Sequence, residues 1–251
     1  MLRETLILFQ GISYRRQKNL RREGIFTWED LLIKGSKYFS PDRWRIIEEE
    51  ILNAIENYKS RNIEYFKNRL NKRDYYLLFE DFIDFSLFLD IETTGMDLYG
   101  EITVIGISDH RKNYRVFVNG IDLDENLIAD TIKNYKILVT FYGSRFDIPF
   151  ISRKFPYLGD ILKRMVHIDL CFLGRRVGFR GGLKSIERQV GLERDSHIQG
   201  LTGFDAVRLW NEYLSGKKES LDTLIEYNRR DVINLVDLFE IEIELMRQFY
   251  L

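Results

Sequence analysis

The chain has 251 residues, 45% hydrophobic and 31% charged, which is enough apolar material for one large domain or for a medium domain plus a small one. A single cysteine, Cys171, excludes an intrachain disulfide and a cysteine zinc cluster, and we expect it to be a small buried residue. The sequence lacks both a run of about eighteen apolar residues and a convincing signal peptide, so we expect a cytoplasmic protein without membrane contact.

The charge is divided unevenly along the chain, although the net charge is only −1. Residues 1–80 contain 16 basic and 12 acidic residues, and the remainder contains 22 basic and 27 acidic residues. A basic appendage on an acidic half suits a metal-dependent domain that must hold a polyanion. Charge alone does not fix a partner, so this asymmetry is weak support.

The first region, 1–75, is predicted to be helical. Thr27 precedes Asp30 by three residues, which is the spacing of a capped helix start. Ser40 followed by Pro41 predicts a second helix start. The helix after it carries one apolar stripe at steps of three and four, which we expect to pack against the rest of the protein. The stripe consists of Trp44, Ile47, Ile51, Ile55 and Tyr58.

The second region, 84–251, reads as short apolar strands that then alternate with helices. Strands are predicted over 86–91, 101–108, 113–118, 136–141 and 166–170. Helices are predicted over 124–134, 146–155, 183–190, 203–214 and 220–249. This order favours an α/β fold with a mixed central sheet, preceded by a small all-helical region.

Two acids end the first predicted strand. Asp90 and Glu92 are separated by one residue, so their side chains point to the same face of the strand. Two acids at the end of a buried strand are costly unless a cation or hydrogen bonds compensate their charge. Oxygen ligands of this type suit Mg²⁺ or Mn²⁺.

Two later positions add carboxylates. Asp147 follows the fourth predicted strand, and taken alone it reads as an acid that interacts with a helix start. Tyr227 and Asp231 are four residues apart on the last predicted helix and therefore lie on one face. Taken alone, Tyr227 reads as a half-buried helix tyrosine.

Together these motifs resemble the DnaQ-like (DEDD) 3′-5′ exonuclease superfamily. The matching segments occur in the family's order: Asp90-Ile-Glu-Thr-Thr-Gly95, then Phe146-Asp147, then Tyr227-x-x-x-Asp231. The tyrosine of the third motif is similar to that of the DEDDy branch. Three stretches resemble a YprB-like ribonuclease-H-like subgroup: His167-Ile-Asp169-Leu, 182–191, and Leu221 through the Tyr227–Asp231 motif. The resemblance covers roughly residues 84–245.

The resemblance implies an RNase H-like fold with about five strands and a nuclease that uses two Mg²⁺ or Mn²⁺ ions. It implies that Asp90 bridges both ions and that Glu92 and Asp231 help to hold the ion that activates water. Asp147 would support the second ion, and Tyr227 would orient the water. The implied partner is nucleic acid, with a single-stranded 3′ end as the expected substrate; a protein partner is left open.

Contacts to substrate are predicted at the motif edges. The positions are Thr93, Thr94, Gly95, Tyr142, Phe146, Lys184 and Arg188. Tyr142 stands where the family often has asparagine, which puts the contacts near the scissile end in doubt. Lys184 and Arg188 belong to a basic stretch with Arg175, Arg176 and Arg180 that either binds phosphates or is simply a solvated loop and helix face.

The N-terminal region has a similar ambiguity. Segments 10–12, 23–25 and 28–31 look like a degenerate helix-hairpin-helix nucleic-acid-binding element, and a solvated helical face explains them equally well. The charge would come from Arg15, Arg16, Lys18, Arg21 and Arg22. The alternative to a nuclease is a catalytically weak nucleic-acid-binding protein or an accessory protein of repair or processing. The sequence does not distinguish DNA from RNA.

Overall fold

Short helices around one indole ring make up the first part of the chain. The computed structural model describes residues 1–95 and 100–250, and its contacts divide the chain into two compact units, Met1–Ile83 and Asp84–Leu251. The α-helices of the first unit are α1 (Tyr14–Arg22), α2 (Trp28–Lys34), α3 (Pro41–Lys59) and α4 (Ile63–Lys67). Turns of 3-10 helix cover Leu2–Glu4, Gly35–Tyr38, Lys72–Leu78 and Glu80–Phe85.

Trp28 lies at the centre of this unit. Its side chain is fully buried, its indole N–H donates to the carbonyl oxygen of Thr5 at 2.8 Å, and its ring stacks on Phe66 with centroids 6.0 Å apart. Such a pairing satisfies the one polar atom of the ring while burying its apolar surface. The helix start predicted from Thr27 and Asp30 is confirmed, because Thr27 is the N-cap of α2 and forms a capping box with Asp30.

The predicted stripe on α3 is only partly correct. Ile47 and Ile51 are fully buried, together with Ala54, which the stripe did not include. The other three predicted members are only half-buried; they are Trp44, Ile55 and Tyr58. The predicted start is in place, because Ser40 is the N-cap and Pro41 the first helical residue.

The second unit is built on one five-stranded mixed sheet. The strands are β1 (Ser86–Thr93), β2 (Ile102–Ser108), β3 (Tyr114–Val118), β4 (Ile137–Thr140) and β5 (Val166–Asp169). They lie in the order β3-β2-β1-β4-β5; β1, β2 and β3 pair antiparallel, whereas β4 is parallel to both β1 and β5. The predicted α/β class and mixed sheet are therefore confirmed. The carboxyl ends of β1, β4 and β5 meet at one edge of the sheet.

Helices cover the sheet. They are α5 (Glu125–Ile132), α6 (Asp147–Lys154), α7 (Pro156–Arg164), α8 (Leu170–Arg176), α9 (Leu183–Val190), α10 (Gly203–Leu214) and α11 (Lys218–Tyr250). The side chains of successive residues of β1 point to opposite faces of the sheet. Leu87, Leu89 and Ile91 join a buried cluster with α6 and α7, and the acids of β1 point to the face on which α11 packs.

Two helices differ from the sequence predictions. No helix was predicted over Pro156–Arg164; Phe155 leaves the helical region, with φ −130° and ψ 81°, and Pro156 restarts a helix at its first position. The strand predicted over 166–170 ends one residue early, because Asp169 caps α8 by accepting from the N–H of Cys171. As a result, Arg175 and Arg176 lie on a helix and not in the loop considered from the sequence.

Two further observations concern the single cysteine and the length and hydropathy of the helices. Cys171 is buried, as predicted. Among the residues that the structure describes, no helix is both long enough and apolar enough to cross a lipid bilayer.

Candidate metal centre

Three carboxylates converge between β1 and α11. Asp90 and Glu92 come from the end of β1, and Asp231 comes from the middle of α11. Each residue offers one carboxylate oxygen, and these three oxygens lie within 4.8 Å of one another. Glu92 and Asp231 are buried and Asp90 is half-buried. Hard oxygen donors at this spacing could hold a divalent cation such as Mg²⁺ or Mn²⁺.

The electrostatics of this trio follow from crowding and burial. Burial raises the pKa of Asp90 and of Glu92 well above the ordinary range, and repulsion from Asp231 raises both further. Burial also raises the pKa of Asp231, whereas the neighbouring Arg194 guanidinium lowers it. Like charges disfavour ionisation of their neighbours in a water-poor site, so a cation bound here would release protons.

Asn228 holds Asp90 in position. Its side chain is fully buried, and its amide donates to the Asp90 carboxylate at 2.9 Å and to the Asp90 carbonyl oxygen at 3.3 Å. The hydroxyl of Tyr114 on β3 donates to the Asn228 side-chain oxygen at 2.9 Å. Asn228 lies on α11 three residues before Asp231, hence on the same helix face. Asn228 was not among the predicted site residues, although its place inside the Tyr227–Asp231 motif was a signal in the sequence.

Gly106 allows α11 to approach the sheet closely. It is the register partner of Asp90 on the neighbouring strand β2. A Cβ atom at position 106 would lie 1.8 Å from the side-chain oxygen of Asn228, so any larger residue would collide with that amide. The bond between Asn228 and Asp90 therefore depends on glycine at this point.

Asp147 is nearby but bonded differently. It is the first residue of α6, is buried, and accepts from the backbone N–H of Ile91 on β1 at 3.2 Å. Burial raises its pKa to about 7. Its charge in turn contributes to the raised pKa values of Asp90 and Glu92. The structure thus places Asp147 within electrostatic range of the three converging carboxylates, outside the group whose oxygens meet.

Asp169 fixes the loop that leads to Asp147. Its carboxylate accepts from the backbone N–H groups of Tyr142 at 2.8 Å and Ser144 at 3.1 Å, and from the Ser144 hydroxyl at 2.7 Å. Tyr142 has a left-handed backbone with φ of 63° and a half-exposed ring beside Phe172. From the sequence, Asp169 was only part of a stretch that resembles the family; its role here follows from its position at the end of β5.

Lys184 reaches the tyrosine of the third motif. The Tyr227 side chain is buried, and the Lys184 ammonium donates to its hydroxyl and lies 4.3 Å from the ring centroid. Lys184 also donates to the carbonyl oxygen of Leu201. Burial lowers the pKa of Lys184 and raises that of Tyr227, so the phenol stays protonated. Arg188, predicted as a second substrate contact, lies on the exposed side of α9.

Arg194 is the cation that the sequence analysis missed. Its Nε and Nη2 atoms donate to the two Glu187 carboxylate oxygens at 2.7 and 2.6 Å, and Nη2 also donates to Asp231. Asn234 donates to the same Glu187 at 2.9 Å. Arg194 follows α9 in a loop, and a single charged residue in a loop carries no sequence pattern that reveals its partner.

The other predicted contacts have local partners. The Thr93 hydroxyl donates to the Gly95 carbonyl oxygen at 2.6 Å, and the Thr94 hydroxyl accepts from the N–H of Glu101 at 2.9 Å. Phe146 packs partly into the core, with its ring centroid 4.8 Å from that of Phe150. These contacts lie at the end of β1 and at the entry to α6.

Comparison with known proteins places this geometry in a family. Residues 87–242 match the family described as the RNase_H superfamily, and the chain belongs to that superfamily. Members of the superfamily are usually nucleases that use divalent metals. No curated protein matches the chain.

One similar solved structure is that of the family B DNA polymerase from the hyperthermophilic archaeon Pyrobaculum calidifontis. The match has 19% sequence identity and a TM-score of 0.48, and it covers 61% of this chain and 24% of the polymerase chain.

Proposed function

We propose that this chain is a metal-dependent 3′-5′ exonuclease that hydrolyses phosphodiester bonds of DNA or RNA with two Mg²⁺ or Mn²⁺ ions. The observation that carries the proposal is the meeting of the Asp90, Glu92 and Asp231 oxygens within 4.8 Å. Tyr227, one turn before Asp231 on α11, supports assignment to the DEDDy branch and to the YprB-like subgroup.

The donor set fits divalent cations of the hard class. Asp90, Glu92 and Asp231 would hold the ions, and Asp147 would assist from the start of α6. Bound divalent ions supply Lewis acidity, which activates a water and stabilises charge on the phosphate and the leaving oxygen. The buried carboxylates repel one another, so they favour a cation over protons as the pH rises.

The remaining residues orient the reactants. Asn228 holds the Asp90 carboxylate through its amide, and Tyr114 holds that amide. The Tyr227 hydroxyl would orient the attacking water, with Lys184 fixing the phenol. Lys184 lies close enough to Glu92 and Asp231 to interact with both, so its ammonium would also attract a phosphate to the site.

The N-terminal unit would add affinity for nucleic acid without reading sequence. Arg15, Lys18 and Arg22 on α1 are exposed and would meet backbone phosphates. Arg16 and Arg21, which the sequence analysis grouped with them, donate to the carbonyl oxygens of Tyr38 and Glu4 within the unit. A single-stranded 3′ end is the substrate we propose, and a cytoplasmic location remains our expectation.

The test is cleavage of end-labelled single-stranded DNA and RNA of equal sequence with Mg²⁺, Mn²⁺ or EDTA. We expect a metal-dependent ladder that shortens from the 3′ end and is absent for Asp90→Asn. Asp130→Asn is the matched control, because it makes the same chemical change on the exposed face of α5. No cleavage of either strand with any metal, or full activity in Asp90→Asn, would refute the proposal.

A second candidate is a catalytically weak nucleic-acid-binding or accessory protein. One observation favours it: Arg194 and Lys184 donate hydrogen bonds to the motif residues Asp231 and Tyr227. Metal-independent binding of nucleic acid with no turnover of any strand would support this alternative over the exonuclease.

A further inference from the structure

We infer that Arg194 is a built-in cation that competes with divalent metal for Asp231, and that a nucleic-acid phosphate relieves this competition. The inference rests on the proposed metal site at Asp90, Glu92 and Asp231 and adds a control to it. Metal binding and substrate binding would then be coupled, so that the site fills with metal most readily when a phosphate is present.

Arg194 is held firmly beside the acids. Its side chain is only 6% exposed, and two of its nitrogens form a paired contact with Glu187 at 2.6 and 2.7 Å. Glu187 is itself buried and accepts a third bond from Asn234 on α11. A planar guanidinium bound through two donors to a carboxylate keeps a fixed orientation. The positive charge is therefore fixed and does not swing away freely when another cation approaches.

The same guanidinium binds a metal-site carboxylate. Arg194 Nη2, which already donates to Glu187, also donates to Asp231 Oδ1. Asp231 is one of the three acids whose oxygens meet. A divalent ion at that point must displace this hydrogen bond or accept a fixed positive charge next to it. Both alternatives weaken metal binding, because repulsion between close charges is strong where water is scarce.

One nitrogen atom of Arg194, with its two N–H groups, is left over. Its Nη1 atom is buried and has no hydrogen-bond acceptor within residues 1–95 and 100–250. Buried donors are normally paired, so an unused guanidinium N–H indicates an acceptor that arrives from outside. A phosphate oxygen is a suitable acceptor for a guanidinium. Its negative charge would offset the positive charge of Arg194 and so favour a divalent ion at Asp231. Coupling of this kind is reciprocal: phosphate strengthens metal binding and metal strengthens phosphate binding by the same factor.

The experiment is Mn²⁺ titration of the full chain by calorimetry and by electron paramagnetic resonance, with and without a nucleoside 5′-monophosphate. The main variant is Glu187→Gln/Arg194→Met, which removes both charges of the buried pair and keeps an acceptor for Asn234. We expect it to bind Mn²⁺ at least about tenfold more tightly than the wild type. We also expect the nucleotide to raise Mn²⁺ affinity severalfold in the wild type and by less than about twofold in the variant.

Two controls separate this role from a general effect of charge or of folding. Arg230→Met removes a neighbouring arginine on α11 that pairs with Asp195, and we expect Mn²⁺ affinity to change less than about twofold. Arg194→Lys keeps the positive charge, so it should bind Mn²⁺ as weakly as the wild type. If circular dichroism shows that the double variant is unfolded, Arg194→Gln replaces it in the same titration.

The outcomes distinguish the two proposals. If wild type and double variant bind Mn²⁺ with equal affinity, or if Arg230→Met gives the same gain, the role of Arg194 is refuted and the metal site stands. If neither protein binds Mn²⁺ at all, the metal site and the inference both fall. A tighter Mn²⁺ affinity with loss of the nucleotide effect supports the inference in a readout that does not depend on cleavage.

Discussion

The long helix α11 carries buried acids in two different settings. In its first half, Asp231 meets two other carboxylates and accepts from Arg194. About three turns further along, Glu242 is fully buried against Gly174 of α8, and neither of its carboxylate oxygens has a hydrogen-bond partner in the described part of the chain. Burial raises the pKa of both groups, and that of Glu242 lies well above the ordinary range.

The difference shows what burial of an acid can and cannot indicate. The pKa of Glu242 is strongly raised, mainly because burial removes water and also because the charge of Asp169 repels it. Asp231 has partners from three elements: Glu92 on β1, Lys184 on α9 and Arg194 in the loop after it. Perturbed carboxyl groups indicate a functional site when several elements direct polar groups to the same point.

The largest expected effect is on the cleavage rate, which should depend on Asp231 and not on Glu242. Asp231→Asn should reduce 3′-end cleavage roughly a thousandfold or more, because acids that hold metal act as a unit. Glu242→Gln has the same chemistry and should change the rate less than about threefold, since we place no reactant near it. Gel analysis of single-turnover cleavage measures both rates. Equal losses in the two variants would remove the distinction between the halves of α11.

A smaller effect is expected at the phenol beside Asp231. Tyr227→Phe removes the hydroxyl that would orient water and should lower the rate about a hundredfold while preserving the ring. Tyr213→Phe is the control, because it makes the same chemical change on α10, where the ring centroid of Tyr213 lies 5.3 Å from that of Trp210. A normal rate in Tyr227→Phe would show that the hydroxyl serves only to hold Lys184.

The acids also predict how stability depends on pH without metal. The pKa of Asp147 is raised to about 7, so between pH 5 and 7 the folded chain keeps a proton that the unfolded chain has lost. Stability in EDTA should therefore fall as pH rises, by at most roughly 1 kcal/mol per pH unit from this residue, and less steeply as the pH nears 7.

Urea denaturation at pH 5, 6 and 7 measures this slope. Asp147→Asn should make it shallower, because asparagine does not titrate. Added Mn²⁺ should oppose the fall, since metal binds the deprotonated carboxylates. A slope that is identical in wild type and Asp147→Asn would contradict the proton uptake assigned to this residue.

The smallest expected effect is on the stability of the second half of α11. Glu242→Met replaces an unpaired buried carboxyl group with an apolar chain of similar length. It should raise the free energy of unfolding by about 1–2 kcal/mol at pH 7. Glu240→Met, on the exposed side of the same helix, should change it by less than about 0.5 kcal/mol. A destabilised Glu242→Met would indicate that this acid has a partner or a role of its own.

Local patterns in the sequence were sufficient for much of the fold. Short apolar runs on either side of a turn predicted β2 and β3 to within one residue, and the spacing of Asp90 and Glu92 predicted that they share a face. The helix predicted over 146–155 ends where α6 ends, but the helix α7 that follows at once was not predicted. Proline at the start of a second helix was the only local indication.

The environment of the candidate site was less predictable. Arg194 and Asp231 are 37 residues apart, and their pairing depends on where the loop after α9 runs. Asp169 acts on Tyr142 and Ser144 across neighbouring strands, so only the sheet order relates them. Sequence motifs thus supplied the candidate ligands, while the groups that compensate and position them required the three-dimensional fold.

Gly106 has a consequence for protein engineering and for comparison among related sequences. Because glycine has no side chain, α11 can pack closely against β2 at this point. That close approach allows the Asn228 amide to donate to the Asp90 carboxylate. A methyl group there would look like a harmless change in a strand, yet it would disturb the carboxylates of the candidate metal centre. Libraries that randomise strand interiors should therefore keep this position fixed, and a larger residue at the equivalent place would mark a relative whose first acid is held in another way.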